Sequence, residues 1–158
     1  MKKNLFFAVV AFMVALSGSA YSQSKSNSYQ TSGGLFLDLG NGGTYVGPHI
    51  KHYFNGQDAA QVMVLFGNDL TIIGAEYSYN KAIPNAAGLN WNIGIGPQGY
   101  FGKGDYNGFL LRPQAGLEYK VPNAPLAAGF DWRPMWELTH GSEFEAGRFG
   151  LSFKYVFK

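Results

Sequence analysis

Cysteine is absent from all 158 residues, which removes a disulfide framework and thiolate metal ligation together. Charge is scarce: Asp, Glu, Lys and Arg make up 14% of the chain, against about 25% in ordinary soluble domains. Beyond the N-terminal stretch that ends at Leu16 there is no apolar run long enough for a membrane-spanning helix. Aromatic residues reach 16% and glycines number 22. Few charges, many aromatics and glycines, and no spanning helix point to β-structure with one lipid-facing side.

The first residues read as an export signal. Lys2 and Lys3 precede an apolar segment from Leu5 to Leu16, followed by Ser17, Gly18, Ser19 and Ala20. That order of basic, apolar and small residues is a cleavable secretory leader, too short for a permanent anchor. Cleavage after Ala20 fits, and cleavage after Ser22 is preferred, giving a leader over residues 1–22. Loss of Lys2 and Lys3 leaves ten bases against ten acids. The mature chain has no basic excess to attract nucleic acid.

Residues 23–32 are polar and read as a periplasmic lead-in. Alternating segments then run to the end, and the spacing predicts eight strands at 33–39, 44–54, 59–67, 70–80, 89–102, 109–121, 126–138 and 148–157. Turn-forming clusters separate them, among them Asn41-Gly42-Gly43, Asn68-Asp69, Pro84-Asn85 and Pro122-Asn123. Eight strands of roughly ten residues match the smallest common transmembrane barrel, here over residues 33–158.

One face carries Leu35, Val46, Val62, Ile73, Ile93, Leu117, Phe130 and Phe153, and no charged residue. The other carries the charges and five glycines, Gly74, Gly94, Gly96, Gly116 and Gly129. The third strand departs from this rule, because Met63 and Leu65 fall on the polar side. A soluble lipocalin-like carrier would turn the apolar face inward around a ligand, and a membrane barrel turns it outward. Volume favours the second, since bulky rings crowd the apolar face and glycines the other. Aromatic placement agrees. Phe54, Tyr79, Trp91, Tyr119 and Tyr155 gather at the periplasmic edge, and Phe66, Phe101, Phe109, Trp136 and Phe149 at the outer edge, as two interfacial girdles. Trp132 falls near mid-membrane, outside both.

There is also an internal echo. Gly74-Ala75-Glu76-Tyr77 recurs as Gly116-Leu117-Glu118-Tyr119, and Ile83-Pro84-Asn85-Ala86 as Val121-Pro122-Asn123-Ala124. A repeated hairpin explains it, and so does a common preference of turns for Pro-Asn.

The closing segment, Arg148 to Lys158, places Phe149, Leu151, Phe153, Tyr155 and Phe157 on one face. It resembles the aromatic terminal strand of a Gram-negative outer-membrane barrel. With the leader, both Pro-Asn turns and the stretch Phe130-Asp131-Trp132-Arg133-Pro134, the whole chain looks like a small outer-membrane barrel protein of the OmpA/OmpX-like kind. The resemblance implies an all-β, eight-stranded antiparallel up-and-down barrel in the outer membrane. It further implies monomers among outer-membrane lipids and lipopolysaccharide, and delivery by the barrel-assembly machinery through the C-terminal strand.

Three groups of residues are candidate sites. Asp38, Glu76, Glu118, Asp131 and Glu137 face the lumen with Lys51, Arg112, Lys120, Arg133, Arg148 and Lys154. Opposite charges in a narrow interior pair and hydrogen-bond, because an unpaired buried charge costs several kcal/mol. That favours a filled lumen over an open pore. The second group is His140-Gly141-Ser142 with Glu145. Outer-membrane lipid A deacylases carry a His-x-Ser-Asn stretch and a further Glu, and His140 and Ser142 match that spacing, but Glu143 stands where the Asn would be. Third, His49 and His52 are three apart on a strand and face opposite sides, so no metal is expected. Gly94-Ile95-Gly96 and Gly102-Lys103-Gly104 precede no helix and are not phosphate loops. No cofactor signature is present. The expectation is a non-catalytic structural or surface-interaction barrel, with a lipid A acyl-chain hydrolase and a soluble apolar-ligand carrier as alternatives.

Overall fold

The computed structural model describes residues 29–67 and 69–157. The expected leader, most of the lead-in, Asn68 and Lys158 lie outside the described residues. Ten strands form one antiparallel sheet: β1 (Thr31–Gly40), β2 (Gly43–Tyr53), β3 (Asp58–Gly67), β4 (Leu70–Ala82), β5 (Leu89–Phe101), β6 (Asn107–Lys120), β7 (Leu126–Trp132), β8 (Met135–Glu137), β9 (Phe144–Glu145) and β10 (Arg148–Phe157). Each strand from β1 to β6 pairs with the next, β7 pairs with β10, and β10 pairs with β1 along their whole lengths. The sheet therefore closes, and eight strand positions make the wall. Closure leaves no long unpaired edge, the condition for a sheet in lipid. Among the described residues there is no helix.

Strand limits fall within two residues of the sequence-based ones, apart from the seventh. There the expected single strand over 126–138 is interrupted at Arg133-Pro134. Ala115 opposes Trp132 and Leu111 opposes Trp136, so β8 continues β7 in the same register along β6. Pro134 has no N–H to give the ladder, and that register sets Pro113 opposite it. The chain then makes the short β8–β9 hairpin before entering β10.

The alternation resolves into an apolar outside and a polar inside. Leu35 and Phe153, paired across β1 and β10, are 56% and 57% exposed, while Arg112 and Arg133 are fully buried. This orientation removes the lipocalin-like inversion, since a carrier of that kind needs an apolar interior. Glycines make room inside: a Cβ at Gly150 would collide with the Phe36 ring and the Arg133 side chain.

The interior is layered. At the end away from the termini, here called upper, Met63 and Leu65 point inward as the third strand foretold. They pack with Phe36, Tyr45, Ile72, Tyr100 and Leu110. At the lower end Tyr29, Tyr53, Ala59, Ala127 and Val156 form a second apolar layer. Charged and amide side chains occupy the space between.

Both Pro-Asn segments make the same lower-end turn. Ala86 N–H donates to Ile83 O (3.2 Å) and Ala124 N–H to Val121 O (3.4 Å). Asn85 and Asn123 take left-handed φ values of 63° and 61°. Proline at the first central position and a left-handed residue at the second define a type II turn. The half of the echo at 83–86 and 121–124 is thus one and the same turn type.

Candidate functional site: the lumen and the upper rim

Inward positions of six strands, with Arg133 just past β7, bring nine charged side chains into the barrel, all of them buried. They fall into three groups. In the lowest, Glu118 accepts from Lys51 (3.1 Å) and Lys154, and also from Tyr53 (3.2 Å) and Tyr29. Lys51 also reaches Asn80 Oδ1 at 2.6 Å. In the middle, Glu76 accepts from Arg133, Gln61 (2.6 Å) and Gln98 (2.6 Å), while Arg133 lies 3.9 Å from Asp131. The Arg133 guanidinium also stacks 4.7 Å above the Phe36 ring. In the uppermost, Asp38 lies between Arg112 (2.9 Å) and Arg148 (3.0 Å). Arg148 closes that end by donating to the carbonyls of Asn41 (2.6 Å) and Gly43 (3.2 Å).

Counting formal charges, the lowest group has two bases on one acid, the middle two acids on one base, and the upper two bases on one acid. The sign alternates along the barrel, and each group is held by its neighbour as well as by its own partners. Buried charges persist only when paired and hydrogen-bonded in this way.

Two residues expected in this network lie elsewhere. Lys120 is half-exposed at the end of β6, and its ammonium caps the turn carbonyls of Val121 (2.9 Å) and Ala124 (2.6 Å). Glu137 lies on β8, past the Pro134 interruption, where it accepts from Tyr100 and contacts His140 Nδ1 at 3.0 Å. A lysine one residue from a turn finds turn carbonyls closer than the lumen acids, and Glu137, four residues beyond Arg133 in the same register, stands above the ionic layer.

Sequence reasoning missed Tyr29. It belongs to the segment read as a polar lead-in, yet its ring is buried edge-on against Tyr53 (5.2 Å, 86°). Burial and the Glu118 carboxylate push its phenol well above the ordinary tyrosine range, so it stays protonated and donates. Nothing in the surrounding QSKSNSYQTS signals this, beyond a lone aromatic in a polar run. The amides Gln61, Gln98, Gln114 and Asn80 were also left out of the site, although inward parity marks them.

The upper rim decides the geometry of the His-x-Ser stretch. His140 Nδ1 is engaged by Tyr100 (2.9 Å) and Glu137 (3.0 Å), and its ring stacks on Tyr106 (5.6 Å, 18°). Ser142 accepts from Trp136 Nε1 at 3.0 Å. Glu145 accepts from the Gly147 N–H at 2.8 Å. No hydrogen bond joins His140 to Ser142 or Glu145 among the described residues. His49 and His52 lie on opposite faces: His49 is buried beside Gln61, and His52 is bonded to Thr31.

All ten girdle residues lie on the outer face. Phe54, Tyr79, Trp91, Tyr119 and Tyr155 flank the lower turns, with Tyr79 against Trp91 at 5.8 Å. Phe66, Phe101, Phe109, Trp136 and Phe149 flank the upper loops. Trp132, expected near mid-membrane, lies on the outer face between Asp131 and Arg133 of the middle ionic group. It pairs with Phe149 and donates to Ala146 O at 2.8 Å, because the wall strand ends there.

No family model and no curated protein matches the chain. Among solved structures it is similar to the crystal structure of the N-terminal β-barrel domain of Pseudomonas aeruginosa OprF, with a TM-score of 0.65 at 15% identity. The match covers 84% of this chain and 100% of that one. At that identity the likeness speaks for fold alone. The chain has the closed eight-stranded fold of the small OmpA-like barrels.

Proposed function

We propose that this protein is an integral outer-membrane barrel, delivered there after export and leader cleavage, with a structural or surface-contact role and no catalysis. One observation carries the reading: apolar side chains cover the wall outside, and nine charged side chains pair inside. Such a surface is soluble only in lipid or detergent. The ionic groups and the two apolar layers fill the lumen, which is therefore closed to ions rather than an open pore. Outer-membrane lipids and lipopolysaccharide are its surroundings, it acts as a monomer, and its aromatic terminal strand is the segment presented to the assembly machinery.

The test is heat-modifiability in isolated outer membranes, followed by conductance in planar bilayers. A compact band in SDS that shifts on boiling, with no stable conductance steps, supports the reading. A soluble protein without a shift overturns the membrane assignment, and steady ion current overturns the filled lumen.

A further inference from the structure

Among the described residues, the hydrogen bonds and ion pairs of the interior form two networks with no bond between them. The lower one joins Tyr29, Tyr53, Lys51, Asn80 and Lys154 through Glu118. The upper one runs from His49 through Gln61, Glu76, Gln98 and Arg112 to Asp38 and Arg148. Between them lies a small polar cavity lined by Lys51, Glu118 and Lys154 from below and by His49 and Asp131 from above, with Ser152 at its side. It has room for about one water molecule.

His49 makes the site specific. Its Nε2 is 3.1 Å from Gln61 Oε1 and therefore donates, leaving the buried Nδ1 as an acceptor without a partner. An orphaned buried acceptor is costly, and a bound donor relieves it. The lining balances Lys51 and Lys154 against Glu118 and Asp131, so it offers no net charge to hold an ion in a space the size of one water. We propose that this cavity is a specific site for a single water molecule, which donates to His49 Nδ1 and Asp131, accepts from Lys154 or Ser152, and joins the two networks into one. The site deepens the filled-lumen reading, and the conductance measurement above tests that reading separately.

Gly129 also lines the cavity, and a Cβ there would lie 2.5 Å from the rotatable Ser152 Oγ. Gly129→Ala therefore fills the space. Replacing a strand glycine otherwise favours the folded state, so the sign of the effect reports on the occupant. The experiment uses the full barrel refolded in detergent, observed by transfer of magnetisation from water to the His49 ring protons and by the temperature at which the compact gel band is lost. Expected are a water contact at His49 in the wild type, its loss in Gly129→Ala, and a transition several degrees lower in the variant. Absence of the water contact in the wild type overturns the proposal, even if the variant fails to fold. A raised transition in Gly129→Ala overturns it too, since that is how filling a dry cavity behaves.

Discussion

Arg133 donates to Glu76 across the lumen, joining residues 57 apart in sequence, and both side chains are fully shielded from solvent. The same guanidinium faces Asp131, Gln114 and the Phe36 ring. One side chain thus ties β7, β4, β6 and β1 together at mid-barrel.

Arg133→Met keeps the length and apolar stem but strands Glu76 and Asp131 without their base. Leaving a buried charge uncompensated costs about 3 to 5 kcal/mol. Urea titration of the refolded barrel in detergent should show that loss. The double variant Arg133→Met with Glu76→Gln should recover part of it, and equal losses in single and double variants would argue against the pair.

Tyr29 separates into a hydroxyl and a ring. Tyr29→Phe removes one of four donors to the Glu118 carboxylate and should cost about 1.5 to 3 kcal/mol. Tyr29→Ala also removes a ring from the lower apolar layer, and large-to-small changes of aromatic core residues cost about 3 to 5 kcal/mol. Both are read by the same urea titration, and a silent Tyr29→Ala would mean that the residue does not pack in the lumen.

Ser142→Ala and His140→Ala should leave the acylation of lipid A unchanged. The Ser142 hydroxyl is held by Trp136, and His140 by Tyr100 and Glu137. Mass spectrometry of lipid A from cells with and without the protein is the readout. A wild-type-dependent loss of acyl chains that disappears in Ser142→Ala would restore the hydrolase reading.

Leu35 lies halfway along β1, opposite Phe153 and Pro48, with its side chain outward. Leu35→Arg should destabilise the barrel by about 2 to 4 kcal/mol, the cost of a basic residue on the lipid face near the midplane. Leu138→Arg, also exposed but on the upper loop just past β8, should cost far less. Equal tolerance of the two, followed as assembly into vesicles, would count against a lipid-facing wall.

Strand number and face identity were legible because lipid and lumen impose opposite chemistry on alternate residues, and a strand changes sides at every residue. Lys51, Lys154 and Glu118 could be assigned inward from parity alone. Lys120 obeys the same parity, yet turn carbonyls lie nearer to it than lumen acids do. Trp132 obeys it too, and β7 stops just beyond it, where Pro134 meets Pro113 across the ladder. Tyr29 obeys no pattern, since a single residue has no period.

What the chain determines locally is therefore the wall: eight alternating segments, their turns, an apolar outside and a polar inside. Which acid meets which base was decided only in the closed barrel. Strand tilt and stagger bring together side chains from strands distant in sequence, and no spacing along the chain encodes that stagger. The alternating charge groups and the Tyr29 contact both follow from closure, because each depends on distances across the barrel rather than along a strand.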